Sequence, residues 1–97
     1  MAAYVIADIE VTDPDGYRAY TERVGATIDA HGGRFLARGG SCEALEGDWR
    51  PARLVILEFP SLDAARGWYR SAEYEAIKPL RLAHSRGRLV ITEGLAG

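Results

Sequence analysis

The sequence predicts an α+β fold, an antiparallel four-stranded sheet with helices packed on one face. Three observations carry that expectation. Ala3 to Val11 alternates apolar and mixed residues with a period of two, as a strand does. Leu54-Val55-Ile56-Leu57 is apolar on both faces, which suits a central strand covered on both sides. Cap signals open helices at Thr12-Asp13-Pro14-Asp15 and at Ser61, giving the element order β-α-β-β-α-β.

On the first strand Val5, Ala7, Ile9 and Val11 share one face, and Tyr4, Ile6, Asp8 and Glu10 the other. Asp13 suits the N-cap of the first helix, Pro14 its first position, and Asp15 the positive end of its dipole. Tyr17, Tyr20, Val24 and Ile28 recur at spacings of three and four and form its buried face. Gly32-Gly33 supplies a left-handed stop. Arg34 to Ala37 reads as the second strand. Gly39-Gly40 interrupts it, and Ser41 to Glu46 is expected to resume it. Glu46 to Pro51 reads as a hairpin loop, and Arg53 to Phe59 as the third strand. Pro60 ends that strand. Leu62, Ala65, Trp68 and Tyr69 line the inner face of the helix capped by Ser61. Ser71 is a second N-cap, opening a short helix with Tyr74 and Ile77 inward; Pro79 either ends it or starts a new turn. Arg88 to Glu93 is the last strand, and Gly94 to Gly97 a frayed tail.

This is the ferredoxin-like split β-α-β order. Helices would cover Val5, Ala7, Ile9, Val55, Leu57 and Phe59. The other face keeps Ile6, Leu54 and Ile56 beside Asp8 and Glu58. A sheet face that apolar needs a cover. The simplest is a second copy, so the pattern predicts a homodimer joined through sheet faces.

A length of 97 residues predicts one domain, and a small core benefits from dimerisation. The net charge is −2 without a basic stripe, which argues against nucleic acid as a partner. Cys42 is the only cysteine, so an intramolecular disulfide and a cysteine-built zinc site are excluded. Met1 to Glu10 lacks the basic start of a signal peptide, and no apolar run approaches the ~20 residues that span a membrane. The expectation is a cytoplasmic protein. His31 and His84 show no metal-ligand spacing, and no phosphate-cradling glycine loop is present, so no cofactor is expected.

Several stretches also resemble a known family: His31-Gly32-Gly33-Arg34-Phe35-Leu36-Ala37-Arg38-Gly39-Gly40, Glu46-Gly47-Asp48-Trp49, Leu54-Val55-Ile56-Leu57-Glu58-Phe59-Pro60, Trp68-Tyr69 with Ser71 and Glu73-Tyr74, and Leu80-Arg81. In this order and spacing they resemble the DUF1330 family, small proteins of the dimeric α+β barrel superfamily. The resemblance runs from Tyr4 to Gly94 and implies a dimeric α/β barrel with a small-molecule cavity in each subunit. The family has no established reaction. Its fold is similar to that of cofactor-independent monooxygenases, muconolactone isomerases and haem-degrading or peroxidase proteins. The match positions are Arg38, Trp49, Glu58, Trp68, Tyr69, Ser71, Tyr74 and Arg81; the resemblance does not say which of them act.

The candidate site follows from alternation and residue chemistry. Arg38, Glu58 and Asp8 fall on the mixed sheet face. They form either a clamp for a carboxylate or phenolate with Glu58 as proton shuttle, or an ion-pair network at the dimer interface. Trp68, Tyr69 and Tyr74 form either an aromatic wall for a flat ligand or the core face of a helix. Trp68 suits the core, and Tyr69 or Tyr74 the pocket. Arg81 reaches an anionic ligand or caps a helix end. The site is thus read with Glu58 and Tyr69 as catalytic candidates and Arg38, Trp68, Tyr74 and Arg81 as ligand-binding ones. It serves either a binding module for a small aromatic, carbonyl or carboxylate compound, or a cofactor-independent oxygenase- or isomerase-like enzyme.

Overall fold

A computed structural model describes residues 1–95. The elements are β1 (Ala3–Val11), α1 (Pro14–Asp29), β2 (Arg34–Arg38), β3 (Leu54–Phe59), α2 (Leu62–Arg70), α3 (Ala72–His84) and β4 (Ser85–Glu93). The sheet runs β2-β3-β1-β4 with every neighbouring pair antiparallel. That is the ferredoxin-like order, in which each helical crossover skips one strand.

Local chemistry sets the element ends. The Asp13 side chain accepts the Gly16 amide at the start of α1. Gly32 takes φ 74°, the left-handed conformation that ends the turn after α1. Ser71 closes α2 and opens α3: its hydroxyl donates to the Trp68 carbonyl at 2.7 Å and accepts the Tyr74 amide at 3.2 Å. The helices cover the face carrying Val5, Ala7, Ile9, Leu57 and Phe59. Trp68, Tyr74, Phe59, Ile28 and Ile77 are the largest fully buried side chains there.

Four expectations need correction. Ser41 to Glu46 does not resume β2. Gly39 turns the chain at φ 74°, its amide donates to the Leu54 carbonyl at 2.9 Å, and the following residues leave the sheet. Pro79 neither ends α3 nor starts a new turn; it lies inside the helix on the exposed side, where water can take the carbonyl its missing N–H leaves free. β4 begins at Ser85, three residues before the expected Arg88, because Ser85 to Gly87 pair with Val11 to Ile9 and Arg86 meets Glu10 across the two strands. A charged, loop-like stretch is therefore a strand. Gly94 is not frayed: its amide donates to the Ala2 carbonyl at 2.8 Å. Of the rest of the expected tail, Leu95 is almost fully exposed, and residues 96–97 lie outside the described residues.

The fifth correction bears on function. β2 pairs Arg34 with Glu58 and Phe35 with Leu57, then Ala37 with Ile56 and Arg38 with Val55. Leu36 is an extra residue, a β-bulge, and everything after it changes face. Arg38 therefore stands on the helix face with Val55. Glu58 and Asp8 stand on the other.

Candidate functional site

A cavity opens between the sheet and helices α1 and α3. Apolar residues of β1 and β3 make its floor, among them Val5, Ala7, Val55 and Leu57, with Leu89 of β4 alongside. Tyr17, Tyr20 and Thr21 of α1, Trp68 and three arginines, Arg38, Arg53 and Arg81, make its walls. Counting the open space at its mouth it measures about 490 Å³. Its enclosed part is small, about 40 Å³.

The elements that carry these groups explain their aim. The bulge at Leu36 turns Arg38 inward, where its guanidinium lies 4.2 Å above the Phe35 ring and Nη2 donates to the Thr21 carbonyl at 3.2 Å. Arg53 precedes β3 and continues the inward alternation of Val55 and Leu57. Its guanidinium packs over Gly39, where an added Cβ would come within 2.8 Å of it. Arg81 sits in the last turn of α3 and is 5% exposed. Its Nε donates to the Tyr74 hydroxyl at 3.2 Å, and that hydroxyl lies 2.9 Å from the hydroxyl of Tyr20. A buried chain Arg81–Tyr74–Tyr20 thus backs the cavity.

The electrostatics are one-sided. Burial pushes the Tyr17 hydroxyl above its ordinary range, against the opposing pull of Arg53, Arg81 and Arg38. Burial, reinforced by Tyr74, pushes Tyr20 up further. Both phenols stay protonated at neutral pH and can donate hydrogen bonds. For Arg81, desolvation opposes the charge, but the oxygens of Tyr74 and Tyr20 outweigh it and its pKa lies above the ordinary value. Among the described residues, no group of three or more His, Cys, Asp or Glu is assembled to hold a metal.

The residues named from sequence divide between several places. Arg38, Trp68 and Arg81 line the cavity. Trp68 is almost fully buried there, its Nε1 donating to the Thr27 hydroxyl at 3.0 Å. Tyr74 lies behind the wall and reaches the cavity only through Tyr20 and Arg81. Tyr69 is outside it. Its ring packs on Trp68 and Tyr74 beneath the Lys78 ammonium and borders a shallow depression with Leu89, Val90 and Ile91. Glu58 is on the outer sheet face, 2.8 Å from Arg34. Asp8, on the same outer face, accepts Trp49 Nε1 at 2.8 Å and the Ala52 amide at 3.1 Å. The expected cluster of Arg38, Glu58 and Asp8 does not form: the bulge moves Arg38 across the sheet, and Glu58, opposite Tyr4, lies four registers from Asp8, opposite Leu54. Arg53, Tyr17 and Tyr20 were missing from the candidates. The period-two rule reaches Arg53, two residues before Val55; the helical spacing of Tyr17 and Tyr20 marks them only as core.

Comparison with known proteins fits this picture. The chain matches the model of DUF1330, a domain of unknown function, over residues 2–95, and it belongs to that family. No curated protein matches. Among solved structures, the chain is similar to the RPA0582 protein of unknown function from Rhodopseudomonas palustris, with a TM-score of 0.79 at 20% identity over 99% of this chain and 84% of that one. It is similar to SnoaB, a cofactor-independent oxygenase from Streptomyces nogalater, with a TM-score of 0.63 at 13% identity over 99% and 94%. Rv0793 from Mycobacterium tuberculosis gives a TM-score of 0.58 at 17% identity over 100% and 98%. At these identities the likeness shows a shared fold.

Proposed function

We propose that this chain acts as a homodimer in the cytoplasm that holds a small organic molecule in the cavity between its sheet and helices α1 and α3. The lining carries the reading. An apolar concavity with a few convergent polar groups is the usual form of a small-molecule site. Apolar residues on the outer sheet face, Ile6, Leu54, Ile56 and the exposed Val90, support the dimer.

A second reading, an oxygenase- or isomerase-like enzyme without cofactor, is favoured by the fold shared with SnoaB, itself a cofactor-independent oxygenase. In that reading Arg38 and Arg81 clamp an anion and a tyrosine hydroxyl donates to it. Glu58 does not suit the proton-shuttle role, since it lies across the sheet and is tied to Arg34. The lining holds neither a carboxylate nor a histidine, so no ordinary base that titrates near neutrality faces a ligand there. Binding is therefore the stronger reading.

Native mass spectrometry of protein purified gently from its source cells tests both parts. The expected species is a dimer carrying a reproducible small-molecule mass. A monomer overturns the dimer. A bare dimer that also fails to change its tryptophan fluorescence, with Trp49 replaced by Phe so that Trp68 alone reports, across a library of small organic compounds overturns the binding site.

A further inference from the structure

Every charged group in the cavity wall is a cation. Arg38, Arg53 and Arg81 line it, and no aspartate or glutamate does. Among the described residues, none of these three lies within ion-pair distance of a carboxylate. Glu58 and Asp8 are engaged on the far side of the sheet by Arg34 and Arg88. Arg81 is almost fully buried, and its one side-chain hydrogen bond runs to the Tyr74 hydroxyl, not to a carboxylate. Arg53 Nε is shut off from water and has no hydrogen-bond partner among the described residues. A guanidinium nitrogen withdrawn from water without a partner, as Arg53 Nε is, is unfavourable, and a bound anion offsets that penalty.

Two further observations narrow the anion. Val5, Ala7, Leu57 and Leu89 offer only hydrocarbon, which suits an organic anion with a short apolar part. The enclosed volume is small, about 40 Å³, which favours a ligand of a few non-hydrogen atoms.

We propose, resting on the reading of this cavity as a binding site, that its ligand is a short organic carboxylate of two to four carbons. Arg53 and Arg81 hold the carboxylate, and the Tyr17 hydroxyl donates to a second oxygen. The planar, two-pronged guanidinium matches a carboxylate in shape as well as charge.

The test is a titration of the full-length, isotope-labelled protein followed by NMR. The probes are pyruvate, acetate, acetamide, inorganic phosphate and benzoate. Pyruvate and acetate are expected to shift signals of cavity residues. Acetamide and phosphate are expected to bind about tenfold or more weakly than pyruvate. Arg53→Gln, at a half-buried position, should lower pyruvate affinity by about tenfold or more without lowering the melting temperature of the ligand-free protein. Arg53→Lys should recover only part of that loss, since it restores charge without the fork. Acetamide binding as well as pyruvate, or an inert Arg53→Gln, would overturn the anion. Phosphate binding as tightly as pyruvate overturns the organic part, and benzoate binding more tightly overturns the size. If no probe moves a cavity signal while native mass spectrometry shows a bound mass, this inference fails and the binding site stands. If neither method shows a ligand, the site fails with it.

Discussion

The Tyr74 hydroxyl serves two buried partners, Arg81 Nε and the Tyr20 hydroxyl. Tyr74→Phe removes that oxygen and strands a buried guanidinium, so it is expected to destabilise by about 1–3 kcal/mol. Tyr20→Phe leaves Arg81 its partner and should cost less. Thermal melts of both variants check the order, since each kcal/mol shifts the midpoint of a domain this size by roughly 4–8 °C. The phenols also set the alkaline limit. Tyr17 and Tyr20 are neutral when protonated, and both pKa values are raised in the fold from an ordinary 10.0. Above about pH 10 the unfolded chain loses these protons while the folded chain keeps them, so the unfolded state binds fewer protons. Their contribution is therefore complete below pH 10 and declines as pH rises through the folded values. Urea unfolding at pH 8 and pH 11 should show lower stability at pH 11, and a smaller difference in Tyr20→Phe. Equal slopes for the two proteins would remove Tyr20 from the account.

At the level of elements, much was legible because caps and periods are local. Asp13-Pro14, Ser61 and Ser71 each mark a helix start by a side chain that can accept an amide two or three residues on, and all three do so. Ser71 is the most exposed to test, because it joins α2 to α3 and so orients Trp68 and Tyr74. Ser71→Ala is expected to destabilise by about 1–2 kcal/mol, and Ser71→Asp, which still accepts the Tyr74 amide, by less. Chemical denaturation of both variants decides this, and equal losses would mean that the cap is not the cause. What the sequence hid is register. Alternation puts Arg38 on one face with Glu58 and Asp8, yet the one extra residue at Leu36 sends Arg38 to the opposite face. No residue type marks that bulge, since Leu36 is neither glycine nor proline; only the pairing of β2 with β3 reveals it. Ser85 to Gly87, the first third of β4, was hidden as well, because the Arg86 charge that reads as loop is satisfied across the strand by Glu10. The inward aim of Arg53 was readable from Val55 and Leu57, whereas the polar role of Tyr17 and Tyr20 depends on where α3 brings Arg81.

The whole molecule is a slab. Its Cα extents are 36 × 36 × 16 Å and its radius of gyration is 13.6 Å, against about 12.5 Å for a compact domain of this length. Helices cover one broad side, and the other is bare sheet with Ile6 at its centre, flanked by Ile56 on β3 and Val90 on β4. Trp49 extends this apolar patch from the long β2–β3 loop. Half its surface is exposed, although Asp8 fixes its indole nitrogen. Strands of five to nine residues, spaced about 4.8 Å apart, make the patch several hundred Å², on the order of what one partner contributes to a stable interface. Charges ring it: Arg34 with Glu58 at one end, and Glu10 with Arg86 at the other. Apolar centre and polar rim are the anatomy of an interface. A second copy related by a two-fold axis would lay Ile6 and Ile56 against their own counterparts. Ile56→Asp would then bury a carboxylate in that seam, whereas in a lone subunit the same carboxylate meets water. The variant is therefore expected to lose the dimer, with a dissociation constant raised about a hundredfold or more, and to keep its far-ultraviolet circular dichroism. Light scattering after size exclusion reads the mass directly. Melting at several protein concentrations gives an independent measure, because a dimer gains stability with concentration and a monomer does not. A variant with twice the chain mass and a concentration-dependent melt would place the interface elsewhere. A variant that unfolds outright would show that the sheet cannot stand without its partner.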